Sequence, residues 1–268
     1  MTIIDTHQHN WDIGQFDYAW IKPGSPLAAD YLPPDAHPLM LASGIEVCVL
    51  VEGGTHDPVE LDWLLQLAHT HEHIIGVVGW LDLKSDVAAR LARINLNHRA
   101  YLKGVRYSCF DPQDDWAALD RGLAVLADNN LTCDLLVGRD MLPHVAQLVG
   151  RHSDMRFILD HFAGARLTPG KAAEWSGQIA DCAAQPNTSL KVSGFLTAAE
   201  PQPLAVQTLK TYLDIALDLF GPARLMYGSD WPVCTLGGTY PDTVTLLRQC
   251  ISPTADLWAN TARFVYNL

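Results

Sequence analysis

Three histidines and one aspartate in this 268-residue chain have the types and settings that reaction chemistry requires. His7 and His9 stand two apart in Ile4-Asp5-Thr6-His7-Gln8-His9, a parity that sends both side chains to the same side of a strand. Two imidazoles so placed can ligate one metal ion or hydrogen-bond one carbonyl oxygen. His161 lies in Asp160-His161-Phe162-Ala163-Gly164, and Asp230 in Tyr227-Gly228-Ser229-Asp230-Trp231-Pro232. A carboxylate beside imidazoles can take a proton from water and later pass it to a leaving group. Each residue also has a plainer reading: a buried, hydrogen-bonded histidine, or an aspartate that caps a turn. What favours chemistry is that all of them follow strand-like runs.

Those runs come from an alternation that spans the chain. Short apolar, β-branched stretches predict strands over 3–7, 46–51, 74–81, 102–107, 132–137, 156–161, 189–193 and 225–229. Helical periodicity fills the gaps over 58–71, 86–96, 116–127, 171–184 and 204–220, with more helix after Pro241, and Ser85 and Asp115 are expected caps. Eight strand–helix repeats predict a closed (β/α)₈ barrel, one domain over residues 1–268. No Gly-x-Gly-x-x-Gly follows the first strand, which removes a dinucleotide-binding doubly wound sheet. Residues 10–37, rich in proline, glycine and aromatics, form a long insertion after the first strand, where barrel loops face the site. In such a barrel the C-terminal strand ends converge on one face, and His7, His9, His161 and Asp230 all belong there.

Other polar residues share that geography. Glu52 ends the second strand, Arg106 follows Lys103-Gly104-Val105, Asp134 lies in the fifth strand and Lys191 in Leu190-Lys191-Val192-Ser193-Gly194. A cation inside a barrel is costly unless paired. Arg106 and Lys191 therefore either bind a substrate oxygen or are matched internally by Glu52 and Asp134. Trp11, Trp80 and Trp231 fall at or just after strand ends, where an indole can face a sugar ring or simply fill core. His69, His71 and His73 look like a metal tract, but they lead into the third strand at the opposite face, which favours a structural role.

A net charge of −12 with no clustered Lys and Arg excludes a nucleic-acid surface. No apolar run approaches the roughly 18 residues of a membrane helix. No basic-then-apolar leader opens the sequence, and the six cysteines are scattered without a Cys-x-x-Cys pair. Reduced thiols in a cytoplasmic protein with a small-molecule partner are the expectation. Oligomeric state is not set by these features.

The segments Ile4-Asp5-Thr6-His7-Gln8-His9-Asn10-Trp11, Val51-Glu52-Gly53, Lys103-Gly104-Val105-Arg106, Asp160 to Gly164 and Met226 to Cys234 together resemble the amidohydrolase superfamily, in its amidohydrolase-2, lactonase-like branch. The last segment is similar to that of sugar-acid lactonases acting on L-fucono- or L-rhamnonolactone, with pyrone-dicarboxylate lactonases as cousins. The resemblance implies water attack on a lactone carbonyl, with Asp230 as general base. His7, His9 and His161 would position the water or polarise the carbonyl, and Arg106, Glu52, Lys191 and the three tryptophans would hold the ring. Binuclear members of the superfamily bridge two metals from strand four and add a histidine on strand five. Here strand four ends in Arg106-Tyr107-Ser108 and strand five has no histidine, so no cofactor is expected to be obligatory. One divalent ion, such as zinc, would sit on His7, His9 and Asp230, with His161 or Glu52 as a further donor. The alternatives on the same scaffold are a lactone isomerase, a metal-dependent decarboxylase, a lactonase for a pyrone or muconolactone acid, or a barrel that only binds.

Overall fold

The computed structural model describes residues 2–252 and 254–268. Eight parallel strands form one sheet in the order β1 (Ile4–Gln8), β2 (Val47–Val51), β3 (Ile74–Gly79), β4 (Leu102–Cys109), β5 (Thr132–Val137), β6 (Phe157–Leu159), β7 (Thr188–Val192) and β8 (Leu225–Tyr227). Helices alternate with them, so the molecule is a single-domain (β/α)₈ barrel, as the alternation predicts. Strands covered on both faces are near-continuous apolar runs, such as Val47–Val51 and Ile74–Gly79. The barrel closes just beyond β8: the Asp230 N–H donates to the His7 carbonyl and the His9 N–H to that of Trp231, both at 2.7 Å. Four candidate site residues, His7, His9, Asp230 and Trp231, thus lie on the closing seam itself.

Several elements differ from their expected bounds. β6 and β8 are only three residues long, and His161 and Asp230 lie beyond them in left-handed backbone, with φ of 53° and 59°. Phe162 and Ala163 continue the left-handed stretch at φ of 51° and 52°, a conformation that cannot extend a strand. The helix expected over 86–96 contracts to Val87–Ala92, and its cap is Asp86 rather than Ser85: Asp86 accepts from the Ala89 N–H at 2.9 Å. Asp115 caps Trp116–Asp128 as expected, accepting from Ala118 at 2.9 Å. Helices Pro33–Ala42 and Leu142–Arg151, not singled out from periodicity, complete the outer layer.

Two packing units bear on the site. Val265 and Tyr266 of the C-terminal helix Thr261–Tyr266 pack with Val49, Val51, Val78, Ile158 and Met226, and fill the barrel interior beneath the face that carries the candidate histidines. Above it, Trp11, Phe16, Tyr18 and Leu27 give the long insertion its own small core. No helix among the described residues is long and apolar enough to cross a membrane.

Candidate active site

Asp230 stands at the centre of the histidines. Its Oδ1 is 3.4 Å from His9 Nε2, 3.9 Å from His7 Nε2 and 4.0 Å from His161 Nε2. The sequence therefore identified a group that the fold brings together from three separate strand ends. Asp5, quoted in the first motif but given no role there, helps to assemble it. Its carboxylate accepts from the Ser229 N–H and hydroxyl at 2.8 and 2.6 Å, from the Tyr240 hydroxyl at 2.8 Å and from the His7 N–H at 3.1 Å. One buried carboxylate thereby ties β1 to the segment that carries Asp230.

Each imidazole has a distinct anchor. His9 Nδ1 is 2.9 Å from the Val51 carbonyl, which only accepts, so Nδ1 carries a hydrogen and Nε2 is the nitrogen turned toward Asp230. His161 Nδ1 is 2.9 Å from the Ser193 hydroxyl. Gly194 lies close against the same ring: a Cβ there would be 2.7 Å from His161 Nδ1, and its φ of +64° also suits glycine. His7 is fully buried, with Nδ1 between Lys191 and Asp160 and with Nε2 unpartnered. Burial lowers the pKa of His7 well below the ordinary imidazole value, and the charge of Lys191 adds to it. His161 is lowered too, by burial, against the opposing pull of Asp230. Burial alone would raise the pKa of Asp160, yet Lys191 and His7 hold it well below the usual carboxylate range.

His9, His161 and Asp230 open onto a cavity of about 480 Å³, and His7 lies buried behind them. Polar walls come from His9, Glu52, Arg106, His161 and Asp230, and the apolar share from Leu136, Ala165 and Val233. Arg106 donates from Nε to Glu52 Oε1 at 2.5 Å and from Nη2 to the Glu52 carbonyl at 2.9 Å. Arg106 is matched internally by Glu52, the second of the two readings, and it also lines the cavity. Burial depresses its pKa, but Glu52, Asp160 and Glu60 together outweigh that and the net shift is upward.

Lys191 is different. It has no exposure and does not line the cavity; it pairs internally with Asp134 at 2.5 Å. The tryptophans also divide. Trp11 is fully buried and donates to the Ala29 carbonyl at 2.9 Å, while Trp231 packs on Tyr31 at 5.2 Å; both anchor the insertion instead of facing the cavity. Trp80 borders a separate groove beside His56. The indole on the cavity wall is Trp20, whose Nε1 donates to the Gly53 carbonyl at 2.7 Å. Sequence reasoning missed it because it lies inside a long loop, where no periodicity gives direction. Asp160 was missed for another reason: it sits next to a more conspicuous histidine. At the opposite barrel end, His73 stacks on His37 at 4.0 Å, consistent with a structural role for that tract.

Comparison with known proteins decides the family. The profile described as Amidohydrolase matches residues 4–257, nearly the whole chain. This chain belongs to the amidohydrolase family. It is 35% identical to an L-fucono-1,5-lactonase of Burkholderia multivorans across 99% of this chain and 96% of that protein. An L-fucono-1,5-lactonase of Burkholderia ambifaria is 33% identical across 92% and 86% of the two chains. A crystal structure of an amidohydrolase from Burkholderia multivorans with bound zinc superposes with a TM-score of 0.90 at 35% identity, covering all of both chains.

The donor set of this amidohydrolase fits one divalent ion. His7, His9 and Asp230 each offer a ligand atom, all within 4.8 Å of one another. Histidine nitrogens with a carboxylate suit zinc. His7, Asp160 and His161 form a second such grouping, which shares His7 and so does not make an independent site. A metal at the first grouping would supply Lewis-acid polarisation of a bound oxygen.

Proposed function

We propose that this amidohydrolase opens the ring of a sugar-acid lactone, L-fucono-1,5-lactone being the substrate class its relatives' names supply. The observation that carries the reading is a carboxylate encircled by three imidazoles at the floor of a cavity roomy enough for a sugar ring. Asp230 takes a proton from water as the water oxygen bonds to the lactone carbonyl carbon. His9, with Nε2 beside Asp230, holds the water. His161 faces the carbonyl oxygen, with Arg106 supplying positive charge along the cavity wall. The ring C–O bond then breaks, the proton passes from Asp230 to the departing alkoxide, and the product is an open-chain hydroxy acid. Glu52 acts through Arg106 by holding the guanidinium. An activated ester needs less Lewis acid than an amide, so we assign no obligatory metal to the reaction. The six cysteines are free and buried, which suits a reducing compartment, and we place the enzyme in the cytoplasm.

The test is proton release on a panel of aldonolactones, aryl esters and pyrone dicarboxylates, with metal-stripped enzyme and with Asp230→Asn. Sugar lactones should lead the panel, and Asp230→Asn should lose about 10²–10⁴-fold in kcat. A variant that keeps a tenth of the activity would remove Asp230 from the role of base. Pyrones outrunning every sugar lactone would move the substrate class, and activity that vanishes with the metal would restore an obligatory ion.

A further inference from the structure

Lys191 lies on β7 directly behind His7, where no substrate reaches it. Its Nζ hydrogen-bonds Asp134 Oδ2 at 2.5 Å, is 3.2 Å from His7 Nδ1, and lies 3.2 Å from Asp160 Oδ1 as an ion pair. Asp134 also accepts from the Tyr266 hydroxyl at 2.6 Å, so the lysine is fixed from below by the C-terminal helix. An ammonium has hydrogens to give and no lone pair to receive one. His7 Nδ1, its neighbour in hydrogen-bonding geometry, must therefore accept, and it accepts only when it carries no hydrogen. The hydrogen of neutral His7 then sits on Nε2.

The competing arrangement would have Nδ1–H donate to Asp160. That contact is 3.4 Å, and neither oxygen of Asp160 has a hydrogen-bond partner. Nε2 is itself buried without a partner, 3.9 Å from Asp230. It is a buried donor with no protein acceptor, on the side of the ring that faces Asp230.

We propose that Lys191 is a positioning residue that fixes His7 as the Nε2–H tautomer, so that His7 donates from Nε2, and thereby weakens metal capture by His7, His9 and Asp230. To ligate an ion through Nε2, His7 must carry its hydrogen on Nδ1, facing the ammonium. Ligation and the lysine contact exclude each other. Without the lysine, Nδ1–H turns to Asp160, the carboxylate–histidine–metal arrangement that strengthens a ligand. The inference rests on the reading of His7 as part of the reacting centre, but none of its readouts uses a substrate. A lactone assay that fails would leave it standing, and its own failure would leave the lactone reading standing.

Two measurements test it. In metal-stripped wild-type protein, ¹⁵N–¹H long-range correlation spectra report the ring tautomer of His7, assigned as the signal lost in His7→Asn. The expected form is Nε2–H, and an Nδ1–H signal overturns the proposal; this needs no variant at Lys191. In Lys191→Met, which keeps the length of the side chain, zinc competed against a chromophoric chelator should bind about 10–100-fold tighter than in wild type. Unchanged or weaker zinc binding in a folded Lys191→Met protein also overturns it.

Discussion

Gly194→Ala separates the position of His161 from the stability of the barrel. A Cβ built at Gly194 lies 2.7, 2.8 and 2.9 Å from Nδ1, Cγ and Cβ of His161. Relaxed carbon contacts need about 3.5 Å, so the imidazole must retreat by roughly 0.6–0.8 Å. That movement pulls Nδ1 from the Ser193 hydroxyl, now at 2.9 Å, and swings Nε2 away from its place 4.0 Å from Asp230. A displacement near 1 Å in a reacting constellation costs about 10²-fold in rate. The left-handed backbone adds about 1–2 kcal/mol of strain for alanine. Gly170→Ala is the matched control, because its φ is +77° and nothing lies within 4 Å of the added methyl. Steady-state kinetics on an aldonolactone, paired with urea unfolding, gives both quantities. Both variants should lose comparable stability, but Gly194→Ala alone should lose about 10²-fold in kcat, with KM little changed. If Gly194→Ala keeps a third of wild-type turnover, the ring is not a constrained part of the machinery. An equal loss in Gly170→Ala would assign the effect to stability.

Two other predictions draw on the cavity wall and the polar interior. Trp20→Ala removes the indole from the wall and should raise KM by about tenfold with kcat within about threefold, since it removes uniform binding; a fall in kcat at constant KM would contradict this. Glu60 is buried, accepts from Tyr18 and Gly53 at 3.0 and 2.9 Å, and is pushed up to about 8 by burial and then by the charge of Glu52. The folded state therefore holds a proton that the unfolded chain releases near pH 4.5, and the stability this gives is full below that value and lost as pH rises through about 8. Thermal unfolding of Glu60→Gln across pH 5–9 should show a shallower decline than wild type, and parallel curves would refute the assignment.

The barrel was legible because its signal is repeated eight times, and errors at single boundaries cannot change the fold class. The group of His7, His9, His161 and Asp230 was legible for a related reason: strand ends of one barrel face converge whatever their separation in sequence. What the sequence could not show was direction. Trp11 and Trp231 follow strand ends as plainly as any substrate platform would, yet both are spent on holding the insertion down. Trp20, with no strand to orient it, reaches the cavity. Lys191 shows the same limit more sharply. Its strand and parity were right for an inward side chain, but inward includes the depth behind the histidines as well as the cavity before them. The depth became visible only when the sheet order set β5, β6 and β7 in succession and placed Asp160 and Asp134 around one ammonium. A pairwise reading of charges, with Arg106 against Glu52 and Lys191 against Asp134, finds the right partners and still misses their consequence. Arg106 is held by its carboxylate at the cavity wall. Lys191 is held by two carboxylates behind His7, where the one thing left for it to govern is the proton on that ring.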